Sequence, residues 1–136
     1  MNMKKILVVM LILSVFTLSG CGSKKKNEPI PQEQKLRVNT NEAVIGSKEI
    51  DGLSIAKASL VYENGISTLT TSIRNISSDT INVDHVEITY FDNEGNTTVL
   101  IGEVGEAILK NQTVYITSTT DVDLTKAVRA EYVVVK

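Results

Sequence analysis

The stretch Leu69-Thr70-Thr71-Ser72-Ile73-Arg74-Asn75 decides the fold. Leu69, Thr71 and Ile73 alternate with Thr70, Ser72 and Arg74, so one face is apolar and the other polar. Successive side chains of a strand point to opposite faces of a sheet, and this period of two predicts a half-buried β-strand.

The same period extends in both directions. Upstream, Leu53, Ile55, Leu60 and Tyr62 predict a first strand, interrupted near Ala56-Lys57-Ala58. Glu63-Asn64-Gly65 is a turn of the kind that joins hairpin strands. Downstream, Asn75-Ile76-Ser77-Ser78-Asp79 is a loop by composition. Ile81 and Val83 keep one register while Val86, Ile88 and Tyr90 keep the other, which predicts a bulge or bend at Asp84-His85. Asp92 to Asn96 closes a second hairpin, with Gly95 free to take positive φ. Val99 and Ile101 predict a short return strand, and Gly102 and Gly105 flank an irregular piece.

Val114 and Ile116 form the inner side of another strand, with Thr113, Tyr115 and Thr117 on its outer side. Asp121 to Thr125 suits a single helical turn, and Ala127 to Val135 predicts a final, well-buried strand. About seven strands with turns between them make an all-β chain. Each half-apolar sheet needs a second sheet to cover it, so an immunoglobulin-like antiparallel β-sandwich is expected, with a small closed barrel as the alternative.

The amino terminus is of another kind. Lys4 and Lys5 precede an apolar run from Ile6 to Leu18, 13 residues in length. A bilayer-spanning helix takes ~20 apolar residues, so this run has the length of a signal-peptide core instead. Leu18-Ser19-Gly20-Cys21 then places the chain's only cysteine at the cleavage point, in the pattern of a bacterial lipobox. Cleavage between Gly20 and Cys21 and acylation of the Cys21 thiol are expected, leaving the mature chain anchored in membrane lipid on the extracytoplasmic side. One acyl chain anchors only marginally, at ~0.8 kcal/mol per buried methylene, whereas two or three on one residue hold firmly. An unpaired exposed thiol would be a liability in an oxidising compartment, and a lone cysteine leaves no intramolecular disulfide to form. Gly22 to Lys35 is polar, carries Pro29 and Pro31, and can build no core. The expected organisation is a signal peptide over 1–20, a lipidated tether over 21–42 and a folded domain over 43–136.

Composition narrows the function. Beyond the leader the chain holds 12 basic and 16 acidic residues, net −4. That balance argues against a nucleic-acid partner, which needs a clustered basic face. There is no Trp, and one of the two Phe residues, Phe16, lies in the leader, so the core is built from Ile, Val and Leu.

Three pieces resemble the FxLYD family, small immunoglobulin-like domains of bacterial secreted and lipid-anchored proteins. They are Thr71-Ser72-Ile73-Arg74-Asn75 followed by Ser77, Ile88-Thr89-Tyr90-Phe91-Asp92 with Gly95, and Leu109-Lys110-Asn111-Gln112-Thr113. Ile88 stands where the family has Phe, Tyr90 where it has Leu, Phe91 where it has Tyr, and Lys110-Asn111 where it has Pro-Gly. The resemblance implies the sandwich fold and carries no catalytic residue with it.

Candidate chemistry is sparse. His85, the only histidine, has Asp84 beside it, but once Cys21 is lipidated no second nitrogen or sulfur ligand exists to build a transition-metal site. Asp121-x-Asp123 and Asp92-x-Glu94-Gly95 have a flavour of calcium loops without the ligand run of an EF-hand, and such residues usually serve turn geometry. No triad order, phosphate loop or zinc helix is present. No metal, cofactor or catalytic residue is therefore expected. The period-two count turns Tyr62, Tyr90 and Tyr132 toward the core and leaves Phe91 and Tyr115 as surface contacts. The expectation is a lipid-anchored, non-catalytic binding module for an envelope protein or cell-wall component. The alternative is a small-ligand-binding lipoprotein or accessory enzyme of the envelope.

Overall fold

The computed structural model describes residues 35–136; the expected signal peptide, the expected cleavage and lipidation residues Gly20 and Cys21, and most of the expected tether lie outside the described residues. The elements run β1 (Arg37–Val38), α1 (Glu42–Ile45), β2 (Lys48–Ile50), β3 (Leu53–Ile55), β4 (Ser59–Glu63) and β5 (Ile66–Asn75). They continue with β6 (Ile81–Phe91), β7 (Thr97–Ile108), β8 (Thr113–Thr120), a 3₁₀ turn (Leu124–Lys126) and β9 (Arg129–Val135).

All strand pairs are antiparallel, and they form two sheets. In the six-stranded sheet β5 is the spine: β4 and then β3 share one of its edges, and β8 takes the other. The three-stranded sheet runs β7-β6-β9. This is the expected all-β sandwich, with β5 beside β8 and β6 beside β9 as strands B and E, and C and F, pair in an immunoglobulin arrangement. The strands number nine instead of seven, because the early region yields short separate pieces and Arg37–Val38 adds an edge strand to β4.

Leu53, Leu60, Leu69, Ile73, Val86, Ile88 and Ile108, all 0% exposed, form the core with Tyr90 and Ile116. Burying each such side chain contributes roughly 1.5–3 kcal/mol. The turns follow the expected chemistry. Asn64 and Gly65 both take positive φ, at 53° and 80°, as a two-residue hairpin turn of type I′ requires. The register of β6 against β7 shifts between Val83 and His85, which is the bulge expected there.

Three expectations are corrected. Folded structure starts ahead of residue 43. Asn39 is buried, and its Nδ2 donates to the carbonyls of Leu124 (3.0 Å) and Ala127 (3.1 Å). Its Oδ1 accepts from the Asn41 N–H, and the Asn41 side chain in turn caps α1. Val44 and Ile45 then enter the core. β7 is one continuous strand of 12 residues, not a short strand and an irregular piece. Finally, β9 pairs with β6 alone and leaves Val133 55% exposed, so it is an edge strand and not a well-buried one.

Candidate binding face

The outer face of the six-stranded sheet is built by two alternating strands in register. In β8, Ile116 is buried and Val114 packs against the core, so Thr113, Tyr115, Thr117 and Thr119 project outward. In β5, burial of Leu69, Thr71 and Ile73 turns Thr68, Thr70 and Ser72 to the same outer side. The pairing sets Thr119 against Thr68, Thr117 against Thr70 and Tyr115 against Ser72, and Ser59 of β4 follows Thr70 across the next strand. Tyr115 stands on this hydroxyl-rich face with 79% of its surface open, more than any other large hydrophobic residue among those described.

Phe91, the other surface aromatic expected, is on the opposite sheet. It points outward from the end of β6, and the Arg129 guanidinium lies over its ring at 3.8 Å from the centroid. Arg129 is held there by an ion pair with Glu131. Phe91 is thus covered by a neighbour, and the structure does not bring it together with Tyr115. Only Tyr115 offers a bare ring.

The candidate metal-ligating groups are committed to local structure. His85 places Nδ1 2.6 Å from Asp84 Oδ2 and Nε2 3.4 Å from Glu87 Oε1, so the two carboxylates use opposite sides of one ring. These hydrogen bonds, Asp84 foremost, raise the His85 pKa above its ordinary value. Asp92 Oδ1 accepts from the N–H groups of Glu94 and Asn96 while Oδ2 accepts from Asn96 Nδ2, and these bonds lower its pKa. Burial acts to raise the Asp123 pKa, but hydrogen bonds from Thr125 and the charge of Arg37 outweigh it and hold the carboxyl low. Asp92 and Asp123 share a cleft of about 340 Å³ with Phe91, Asn96, Leu124 and Lys126. Both acids there are engaged in turn and cap geometry. Among the described residues no three His, Cys, Asp or Glu side chains are placed to hold a metal ion.

One buried polar residue was missed as a structural centre. Asn75 is 0% exposed; its Nδ2 donates to the carbonyls of Ile108 (2.8 Å) and Asp79 (2.7 Å), and its Oδ1 accepts from Ser77 N–H and Oγ. Its backbone ties to Gln112 and Asn111. Loop 76–80 is thereby fixed to the side chain of this residue and turn 109–112 to its backbone. The only sequence signal was an Asn ending a strand before a polar turn, the feature on which the FxLYD resemblance also drew.

No protein-family model, curated protein or solved structure matches this chain. No helix among the described residues is long and apolar enough to cross a membrane.

Proposed function

We propose that this chain is a lipid-anchored lipoprotein of the extracytoplasmic membrane face whose β-sandwich is a non-catalytic binding module for an envelope protein or a cell-wall component. The lipobox pattern Leu18-Ser19-Gly20-Cys21 supports the location, with the acylated Cys21 as the attachment to membrane lipid. The polar residues that follow, with Pro29 and Pro31, suit a spacer between anchor and domain. The resemblance to FxLYD domains agrees with this reading.

The observation that carries the binding role is Tyr115. An aromatic ring open over 79% of its surface, on a sheet whose neighbouring outward side chains are Ser72, Thr70, Thr113, Thr117 and Arg74, contributes nothing to the core. Singly exposed apolar residues are common, but a wholly bare aromatic on a polar face is a ready contact residue. The non-catalytic reading rests on the acids of the near cleft, each already bonded to a turn or cap.

Membrane fractionation tests the anchor: Cys21→Ala moves the protein from the membrane to the soluble fraction, and retention in the membrane overturns the lipid attachment. Crosslinking in intact cells tests the module. A partner recovered with the native chain and lost with Tyr115→Ala is expected, and no reproducible adduct overturns the binding role.

A further inference from the structure

We infer that the end of the sandwich bearing Lys35 rests on the bilayer surface through the aliphatic side chains of Leu36, Val38, Ile66 and Val122. This inference rests on the lipid-anchor reading and says how the anchored domain is oriented.

Eleven large hydrophobic side chains are exposed among the described residues, and five of them, Leu36, Val38, Ile66, Val122 and Val128, stand at this end. The opposite end carries only Ile76 and Leu109, and the rest lie along the sheet faces. The patch is built by register. Arg37 turns inward, over the Tyr62 ring and onto Asp123 at 2.8 Å, so Leu36 and Val38 fall on the outer side of β1. Val38 is opposite Val61, which faces outward because Leu60 is buried. Ile66 opens β5, and the next residue, Ser67, donates from Oγ to the Val122 carbonyl at 2.6 Å. That bond brings the 121–123 loop to the same rim.

Two observations point to lipid as the cover. The first is reach. Cys21 precedes Lys35 by 14 residues, at most about 50 Å of extended chain, and Leu36 comes next. Acylated Cys21 therefore keeps the patch beside the bilayer at high effective concentration, and a weak contact suffices to hold it there. The second is composition. Protein hot spots favour Trp, Tyr and Arg and are poor in Leu and Val. The one aromatic on β1, β4 and β5 is Tyr62, and it is turned inward beneath Arg37.

Charge sets the depth. Arg37 and Arg129 are paired with Asp123 and Glu131, while Lys35 and Lys126 are met at this end by Glu63, Asp92, Glu94 and Asp121. No basic field draws the domain to anionic headgroups. Glu63, which the register sets between Leu36 and Ile66, confines the contact to the wet headgroup layer. The contact is apolar and shallow. Ser72 lies six residues beyond Ile66 on β5, about 20 Å along the strand, so Tyr115 opposite it is held clear of the lipid.

The test uses the lipidated full chain in phosphatidylcholine vesicles. Cys21 is the only cysteine, so once it is acylated an introduced cysteine is the single labelling site. A fluorophore is attached through Ile66→Cys, Leu109→Cys or Tyr115→Cys, all at exposed positions. Nitroxide-bearing lipid should quench the label at 66 and leave the labels at 109 and 115 bright. Adding Leu36→Ser and Val38→Thr should abolish that quenching while the melting transition stays in place. The quenching should survive about 1 M salt, which screens charge contacts. Quenching at 109 or 115 as strong as at 66, none at 66, or its loss in salt overturns the inference and leaves the anchor standing. A reactive thiol in the native chain, or failure to float with the vesicles, overturns the anchor reading and this inference with it.

Discussion

Asn75 Nδ2 donates to the carbonyl oxygen of Ile108 at 2.8 Å, joining the end of β5 in one sheet to the end of β7 in the other. The side chain is wholly buried, and all its polar valences are used. Removing one partner of a buried hydrogen bond leaves the other unsatisfied, which costs roughly 1–3 kcal/mol per group. Asn75→Ala is therefore expected to lower stability by about 3 kcal/mol in urea denaturation, with Asn75→Asp no better because the donor is lost. A change under about 1 kcal/mol would refute the role of Asn75 as the clamp of these loops.

Gly102 lies under Ile116, where a methyl group on its Cα would stand 2.5 Å from Ile116 Cδ1. Gly102→Ala forces the buried Ile116 side chain to move, and overpacking of this kind costs typically about 1–3 kcal/mol. Ile116→Val removes the colliding methyl. The double variant should be more stable than the sum of the two single losses, and strict additivity in a double-mutant cycle would count against the contact.

The Tyr90 hydroxyl is buried without a hydrogen-bond partner, alone in this among the buried side-chain polar atoms described. Burial pushes its phenol well above the usual tyrosine range, and the neighbouring Tyr132 phenol, close enough to interact but outside hydrogen-bond geometry, adds to the effect. An unpaired buried hydroxyl costs about 1–3 kcal/mol by mutational measure. Tyr90→Phe keeps the ring and should raise the melting temperature; a loss of stability would mean the hydroxyl is bonded after all.

His85 supplies the pH dependence. Hydrogen bonds to Asp84 and Glu87 raise its folded pKa above the unfolded value of about 6.5. The protonated ring is favoured in the fold, so its contribution is fully present below that unfolded pKa and is lost as pH rises through the folded one. Glu103, opposite His85 on β7, adds a further acid on the same face. An NMR titration of the ring should show a midpoint above 6.5, and the small fall in stability over that interval should vanish in His85→Gln. A midpoint below 6.5 would show that desolvation wins.

The sandwich was readable because most of its strands bury one face only. The alternation at Leu69, Thr71 and Ile73, the Asn64-Gly65 turn and the register slip at His85 are all local signals, and each is realised. Tyr115 was placed on the surface for the same reason, as the outward neighbour of Val114 and Ile116.

What was not readable depends on residues distant in sequence. Arg37 to Asn41 has the polar composition of a tether, and Asn39 is buried because Leu124 and Ala127 present carbonyls to it. Gly102 reads as a break in sequence, yet it is where Ile116 packs so close to the backbone that a Cβ would collide with it. The hydroxyl surroundings of Tyr115 require the β5–β8 register, which sets Ser72 against Tyr115 across a long interval of chain. Arg129 stacked over Phe91 is a cross-strand contact of the same sort.

The Asn39 latch also orders events in time. Its acceptors lie 85 and 88 residues further along, so this side chain is secured only when nearly the whole domain has been made, although the backbone of Arg37–Asn39 can already pair with β4. Closing so long a loop costs entropy before any bond repays it, and contacts of this span slow folding. A chain emerging amino end first would carry the Asn39 amide without these partners until the 3₁₀ turn arrives, with the β5 hairpins already able to pair. Substitutions at Asn39 should accordingly speed unfolding and leave the folding rate nearly untouched, the signature of a contact made after the transition state.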